Sequence, residues 1–117
     1  MKIAIAASEA APYMKTGGLG DVMQALPEAL SKLRGNTVCL FLPYYSKIRE
    51  NPAYQVEHVC DFETNLSWRK QYTGVLKLKN RQDNVQVYFI DNLYYFGGRD
   101  GAIYGNIDDG ERFAFFS

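Results

Sequence analysis

Lys15-Thr16-Gly17-Gly18-Leu19-Gly20-Asp21-Val22 separates a short apolar run from a helical pattern, and its reading decides the fold. Three glycines in four positions let the backbone turn sharply and let a ligand come close, because no Cβ stands in the way. The helix predicted to follow offers unpaired N–H groups and the positive end of its dipole. Lys15 adds a full positive charge beside them. Together these parts favour a phosphate-bearing ligand. The competing reading is a plain strand-to-helix turn with Lys15 solvated.

Upstream, Lys2 to Ala7 reads Lys-Ile-Ala-Ile-Ala-Ala. A short apolar run with β-branched residues predicts a strand covered on both faces, as in a parallel sheet. Pro12 lacks a donor and closes the segment that follows it. Glu9 falls near the carboxyl end of this strand, where open α/β sheets bind their ligands. It either meets a ligand hydroxyl there or is a solvated loop carboxylate.

Downstream, a helix is expected to run to about Leu33, with Val22, Leu26, Ala29, Leu30 and Leu33 on one face. Pro27 predicts a kink or short break, because it removes one hydrogen bond and crowds the preceding turn. Asp21 lies at the helix start, where a carboxylate is favoured and can cap N–H groups. A role in an active site would come in addition. Gly35 stands where helices stop. Thr37 to Leu42 then predicts a second buried strand, ended by Pro43. Strand, glycine turn, helix and strand make one βαβ unit, whose crossover should be right-handed.

Such a unit invites a dinucleotide reading, which fails on two counts. The glycines run Gly-Gly-x-Gly, not Gly-x-Gly-x-x-Gly, and the second strand ends in Leu42-Pro43-Tyr44-Tyr45, without the acid a ribose needs. The phosphate-loop pattern of nucleoside triphosphatases fails too, because Lys15 precedes the glycines.

Beyond Tyr45 a loop with a short helical turn is expected to Pro52. Tyr54 to Phe62 alternates as a strand does, with one face more apolar. Trp68 to Lys79 has a similar look. Asn80-Arg81-Gln82-Asp83-Asn84 is a turn, and Val85 to Asp91 the next strand, so the strands flanking that turn predict a hairpin. Asn92 to Asn106 alternates glycines and aromatics in a long loop; its tyrosines either stack on a sugar or pack onto their own domain. Asp108-Asp109 is expected to cap a helix that begins near Glu111.

The 117 residues suffice for one small domain, and 47% of them are hydrophobic. Thirteen basic and thirteen acidic side chains leave no net charge, hence no electrostatic footprint for nucleic acid or an anionic membrane. No apolar run has the length of a membrane span, and a secretory signal is not expected. Cys39 and Cys60 make no disulfide framework, which favours a reducing cytoplasm. His58 beside Cys60 is too small a set for a metal site. Phe113, Phe115 and Phe116 come at the very end, where little is expected to cover them, so the chain is expected to be a fragment of a longer protein.

The chain resembles, over essentially its whole length, the amino-terminal part of bacterial glycogen synthases and the plant starch synthases. The residues that carry this are Ser8-Glu9-Ala10-Ala11-Pro12, Lys15 to Val22 and Leu26-Pro27, then Asp91-Asn92 with Tyr94-Tyr95-Phe96, Tyr104-Gly105, and Asp109-Gly110-Glu111-Arg112-Phe113-Ala114. The resemblance implies an α/β fold, the Rossmann-like amino-terminal domain of a two-domain GT-B glycosyltransferase. Residues 1–117 would be an incomplete part of that catalytic domain, with its remainder and the second domain absent. It implies transfer of glucose from ADP-glucose to the non-reducing end of an α-1,4-glucan such as glycogen, with retention, without cofactor or metal, in the cytoplasm. Lys15, Gly17 and Gly18 would bind ADP-glucose; Glu9, Asp21 and Tyr95 are lesser candidates for the glucose or acceptor side. No catalytic group is assigned within these residues, so the chain alone is expected to be inactive. A non-catalytic nucleotide-sugar or glucan-binding module is the alternative, and a dehydrogenase is weakened by the missing ribose acid.

Overall fold

The computed structural model describes residues 1–33, 35–66, 69–79, 81, 83–92, 95–96 and 109–116. In chain order the elements are β1 (Lys2–Ala6), α1 (Gly18–Lys32), β2 (Thr37–Pro43), α2 (Ser46–Arg49), β3 (Val56–Leu66), β4 (Arg69–Leu78), β5 (Val85–Asp91) and α3 (Asp109–Phe116). The strands form one mixed sheet in the order β1-β2-β5-β4-β3. β1, β2 and β5 run parallel, as the βαβ reading requires for the first pair. β4 pairs antiparallel with β5 across the polar turn, which is the expected hairpin. β3 and β4 form a second, longer antiparallel ribbon, with a register shift between His58 and Cys60.

The core lies on one face of the two central strands. Val38 stands opposite Val85, Leu40 opposite Val87 and Leu42 opposite Phe89, and all six are at most 1% exposed. Alternation with period two puts every second residue of both strands on this face. β2 is therefore fully buried on one side only, not on two. On the other side Phe41 and Tyr88 stack with ring centroids 5.3 Å apart.

Three expectations are corrected by the packing. β1 is an edge strand of this sheet, and Lys2, Ala4 and Ala6 are exposed while Ile3 and Ile5 pack on the core. α1 runs unbroken through Pro27. The proline ring is itself fully buried, so packing offsets the lost backbone bond. The helix also turns a different face inward than its leucines suggest. Gly20, Pro27 and Ser31 are buried, with Met23 and Leu30 packed on the core, whereas Val22, Leu26 and Leu33 are exposed. Two neighbouring stripes run along α1, and the sheet takes the one formed by Gly20, Met23, Pro27 and Leu30.

Gly35 adopts φ +80°, a left-handed conformation that favours glycine. Just beyond it, the Asn36 side-chain amide donates to the Leu30 carbonyl at 3.1 Å, satisfying one of the helix's last acceptors. At the other end of the chain Phe115 is 5% exposed and Phe113 and Phe116 are partly buried. The expectation that these rings lack cover is thus overturned: Phe115 is centred 5.0 Å from Tyr95, and Phe96 lies against Phe113 and Phe115. Most of the long aromatic loop, including Tyr94, Tyr104 and Gly105, lies outside the described residues. So do the expected cap Asp108 and Arg34, Trp68, Asn80 and Gln82.

Candidate functional site

The glycine turn stands at the carboxyl ends of the parallel strands, where α/β sheets of this kind receive ligands. Past β1 the Ala7 N–H donates to the Phe41 carbonyl at 3.0 Å, and the chain leaves the sheet. Ala10 and Met14 then exchange two backbone hydrogen bonds, at 2.9 and 3.0 Å, closing a tight loop. The Ala11 N–H donates to the Gly20 carbonyl at 2.9 Å, fastening that loop to the first turn of α1. From the N-cap of α2, the Tyr45 hydroxyl donates to the Ser8 carbonyl at 2.7 Å.

Glu9 is the centre of this arrangement. It is 3% exposed, so it is no solvated loop carboxylate. Its Oε2 accepts the Thr16 N–H at 2.8 Å and the Gly17 N–H at 3.2 Å, and its Oε1 accepts the Thr16 hydroxyl at 3.0 Å. A carboxylate at a helix N-terminus is favoured by the dipole, and here it shapes the turn from within. One of the two amides expected to face phosphate, that of Gly17, is thus engaged by Glu9 in this structure. Thr16 is a member of the site that pattern reading passed over, because its role depends on a partner seven residues away.

The three glycines differ in what requires them. A Cβ on Gly20 would come 2.7 Å from Lys15 Cγ and 3.0 Å from Glu9 Oε2, so no other residue fits without displacement. A Cβ on Gly17 or Gly18 would meet no atom within 4 Å, and neither residue has a left-handed φ. Gly17 is the N-cap of α1, where glycine is preferred over alanine, and Gly18 is the first helical residue, where its helix propensity is the poorer one. Among the described residues no steric contact therefore calls for glycine at 17 or 18, while a ligand approaching the backbone would. Gly20→Ala is expected to lower stability by about 1–2 kcal/mol, through a forced shift of Lys15 and Glu9. Chemical denaturation of the full-length protein measures it; an unchanged midpoint would show that the turn yields freely.

Gly17 is the N-cap of α1, extended and without a side-chain cap. Asp21 does not cap the helix as expected. Its Oδ1 pairs with Lys15 Nζ at 2.8 Å, both side chains about half exposed (60% and 46%). An ion pair this exposed contributes about 0–1 kcal/mol, so either partner can leave it at little cost. Lys15, Asp21, Glu9, Gly17 and Gly18 are thus gathered at one place. Tyr95 is not an open sugar-facing ring: it is fully buried, its N–H donating to Asn92 Oδ1 at 3.1 Å and its carbonyl accepting Arg112 Nε at 2.8 Å. No helix among the described residues is long and apolar enough to cross a membrane, and they include no cluster of three or more metal-ligating side chains.

A parallel βαβ unit with an open glycine turn and a cation at its first helix is an arrangement suited to an anionic ligand. The chain belongs to the starch synthase catalytic domain family, whose model matches residues 2–117. It is 52% identical to the glycogen synthase of Streptococcus agalactiae serotype Ia over 116 residues, 99% of this chain and 23% of that protein. It is 52% identical to the glycogen synthase of Ligilactobacillus salivarius (99% of this chain, 24% of that protein) and 51% to that of Exiguobacterium sibiricum (100% and 23%). Among solved structures it is similar to the catalytic domain of starch synthase IV from Arabidopsis thaliana, bound to ADP and acarbose. The TM-score is 0.78 at 28% identity, covering 98% of this chain and 23% of that one. The expected fold class, a Rossmann-like α/β unit of the GT-B kind, stands on that likeness. The chain spans about a quarter of the length of the curated relatives it matches.

Proposed function

We propose that this chain forms the sugar-nucleotide side of a retaining glucosyltransferase that extends an α-1,4-glucan from ADP-glucose. In this reading residues 1–117 are part of the amino-terminal catalytic domain of a two-domain enzyme. The observation that carries it is the open ground over Gly17 and Gly18 beside Lys15, glycines that no steric contact among the described residues requires. The relatives named glycogen synthase and the ADP-bound structural neighbour support the choice of ligand.

The mechanism follows from the charges. When glucose is transferred, the bond from its anomeric carbon to the diphosphate breaks and negative charge grows on the departing ADP. Lys15 Nζ exchanges Asp21 for a phosphate oxygen, and the free amides of the first turn of α1 add to it. Such help acts on the transition state, because the charge is larger there than in bound substrate. Asp21, released from Lys15, is free to accept a hydrogen bond from a glucose hydroxyl. Glu9 holds the turn in shape, and Tyr95 serves through packing. Lys15, Asp21 and Glu9 sum to one negative charge, so further cations must come from other parts of the enzyme to hold a diphosphate. For that reason the 117 residues alone are expected to give no transfer. Two free thiols, Cys39 and Cys60, fit work in a reducing cytoplasm.

The test is glucose incorporation into glycogen by the full-length protein, with ADP-glucose and UDP-glucose side by side, and by residues 1–117 alone. Transfer from ADP-glucose by the full-length protein only is expected. Tight binding of sugar nucleotide with no incorporation by the full-length protein would instead favour a binding module.

A further inference from the structure

Tyr13 stands two residues before Lys15, and it is tied to the far side of the domain. Its ring is buried edge-on against Tyr54 (centroids 5.2 Å) and Phe89 (5.8 Å). Its hydroxyl accepts a hydrogen bond from Arg81 Nη1 at 3.1 Å, across 68 residues of sequence. Arg81 is itself fixed. Its Nε and Nη2 donate to the two carboxylate oxygens of Asp83 at 2.8 and 2.9 Å, and Asp83 accepts the Val85 N–H at 3.2 Å, at the first residue of β5. Glu28 of α1 approaches Arg81 at 3.5 Å, but it is half exposed and adds little. Burial works against the Arg81 charge, yet its hydrogen bond to Asp83 and its contacts with Tyr13 outweigh it and hold its pKa above the ordinary value.

Little slack lies between Tyr13 and Lys15. Met14 is locked to Ala10 by two backbone hydrogen bonds, and Ala11 is locked to Gly20. A shift of Tyr13 therefore passes to Lys15 instead of being absorbed by a loose loop.

We propose that Arg81 is a positioning residue: through the Tyr13 hydroxyl it sets the stem of the glycine turn, and so the place where the Lys15 ammonium meets a diphosphate. This rests on the role given to Lys15 above. Arg81 itself touches no substrate in this arrangement.

The experiment is a pair of double-mutant cycles in the full-length enzyme, reading kcat/KM for ADP-glucose alongside melting temperature. Arg81→Met and Tyr13→Phe are each expected to lower kcat/KM about tenfold, the scale of one hydrogen bond to a charged group. In a Lys15→Ala background the same changes are expected to cost less than about twofold, because the group they position is gone. A role in stability alone lowers the folded fraction and multiplies equally in both backgrounds. Equal losses in both backgrounds, or a Tyr13→Phe enzyme with unchanged kcat/KM, would overturn the proposal. If Arg81→Met does not fold, the Tyr13→Phe cycle decides by itself, since it keeps the packed ring. Failure of the functional reading shows separately, as a Lys15→Ala enzyme with full activity, and it takes this inference with it.

Discussion

Lys15→Ala in the full-length protein is expected to lower kcat/KM for ADP-glucose by about 30- to 150-fold while the protein folds as before. The figure follows from one charge-assisted contact to a phosphate oxygen, about 2–3 kcal/mol, at about 1.4 kcal/mol per factor of ten. Stability is spared because the Lys15 ammonium pairs with Asp21, and that pair is half exposed on both sides. The loss should fall mainly on kcat, since charge on the departing ADP is greatest in the transition state. Lys15→Arg keeps the charge but not the compact head group, and should recover only part of the rate. Steady-state kinetics with thermal melting of the same samples checks both halves. Unchanged kcat/KM would remove Lys15 from the site; a lost fold would show that its aliphatic stem, which lies against Gly20, matters more than its charge.

Glu9→Ala has the opposite signature, a loss of stability first. The carboxylate is 3% exposed and takes two N–H groups and a hydroxyl of the turn. Removing it strands those donors and leaves a space beneath the helix start. Thr16 and Gly17 are themselves exposed, so water relieves part of the penalty. The expected loss is about 2–3 kcal/mol, below the sum of three buried unsatisfied groups. Glu9→Gln keeps one carbonyl acceptor and the shape of the side chain, and should lose about half as much. Urea unfolding of the full-length protein measures the differences. A Glu9→Ala protein with a wild-type midpoint would show that the turn holds its shape without this carboxylate. Activity should fall with Glu9 as well, because Lys15 and Gly20 rest on the same turn.

The two results separate two kinds of legibility. Lys15, Gly17 and Gly18 were open to proposal from sequence because glycine and lysine at a strand-to-helix junction carry their chemistry locally. Their neighbours in function were not. Glu9 could be placed near the strand end, but whether it met water or the turn depended on how the chain folded back at Ala10 and Met14. Tyr95 looked like a sugar platform in an aromatic loop, and it is buried against Phe115 instead. Arg81 sat in a polar turn, with no local sign that its guanidinium reaches Tyr13.

Pattern alone determined the strands, the parallel pairing of β1 with β2, the hairpin of β4 with β5, and the open glycine turn between β1 and α1. Each of these rests on period-two alternation or on residue types whose preferences act within a few positions. Only the tertiary structure decided which stripe of α1 meets the sheet, how Pro27 sits inside an unbroken helix, and what holds the glycine turn in place. Those outcomes depend on volumes and hydrogen-bond partners brought together from distant parts of the chain, such as Tyr13 and Arg81, and such encounters exist only once the chain has folded.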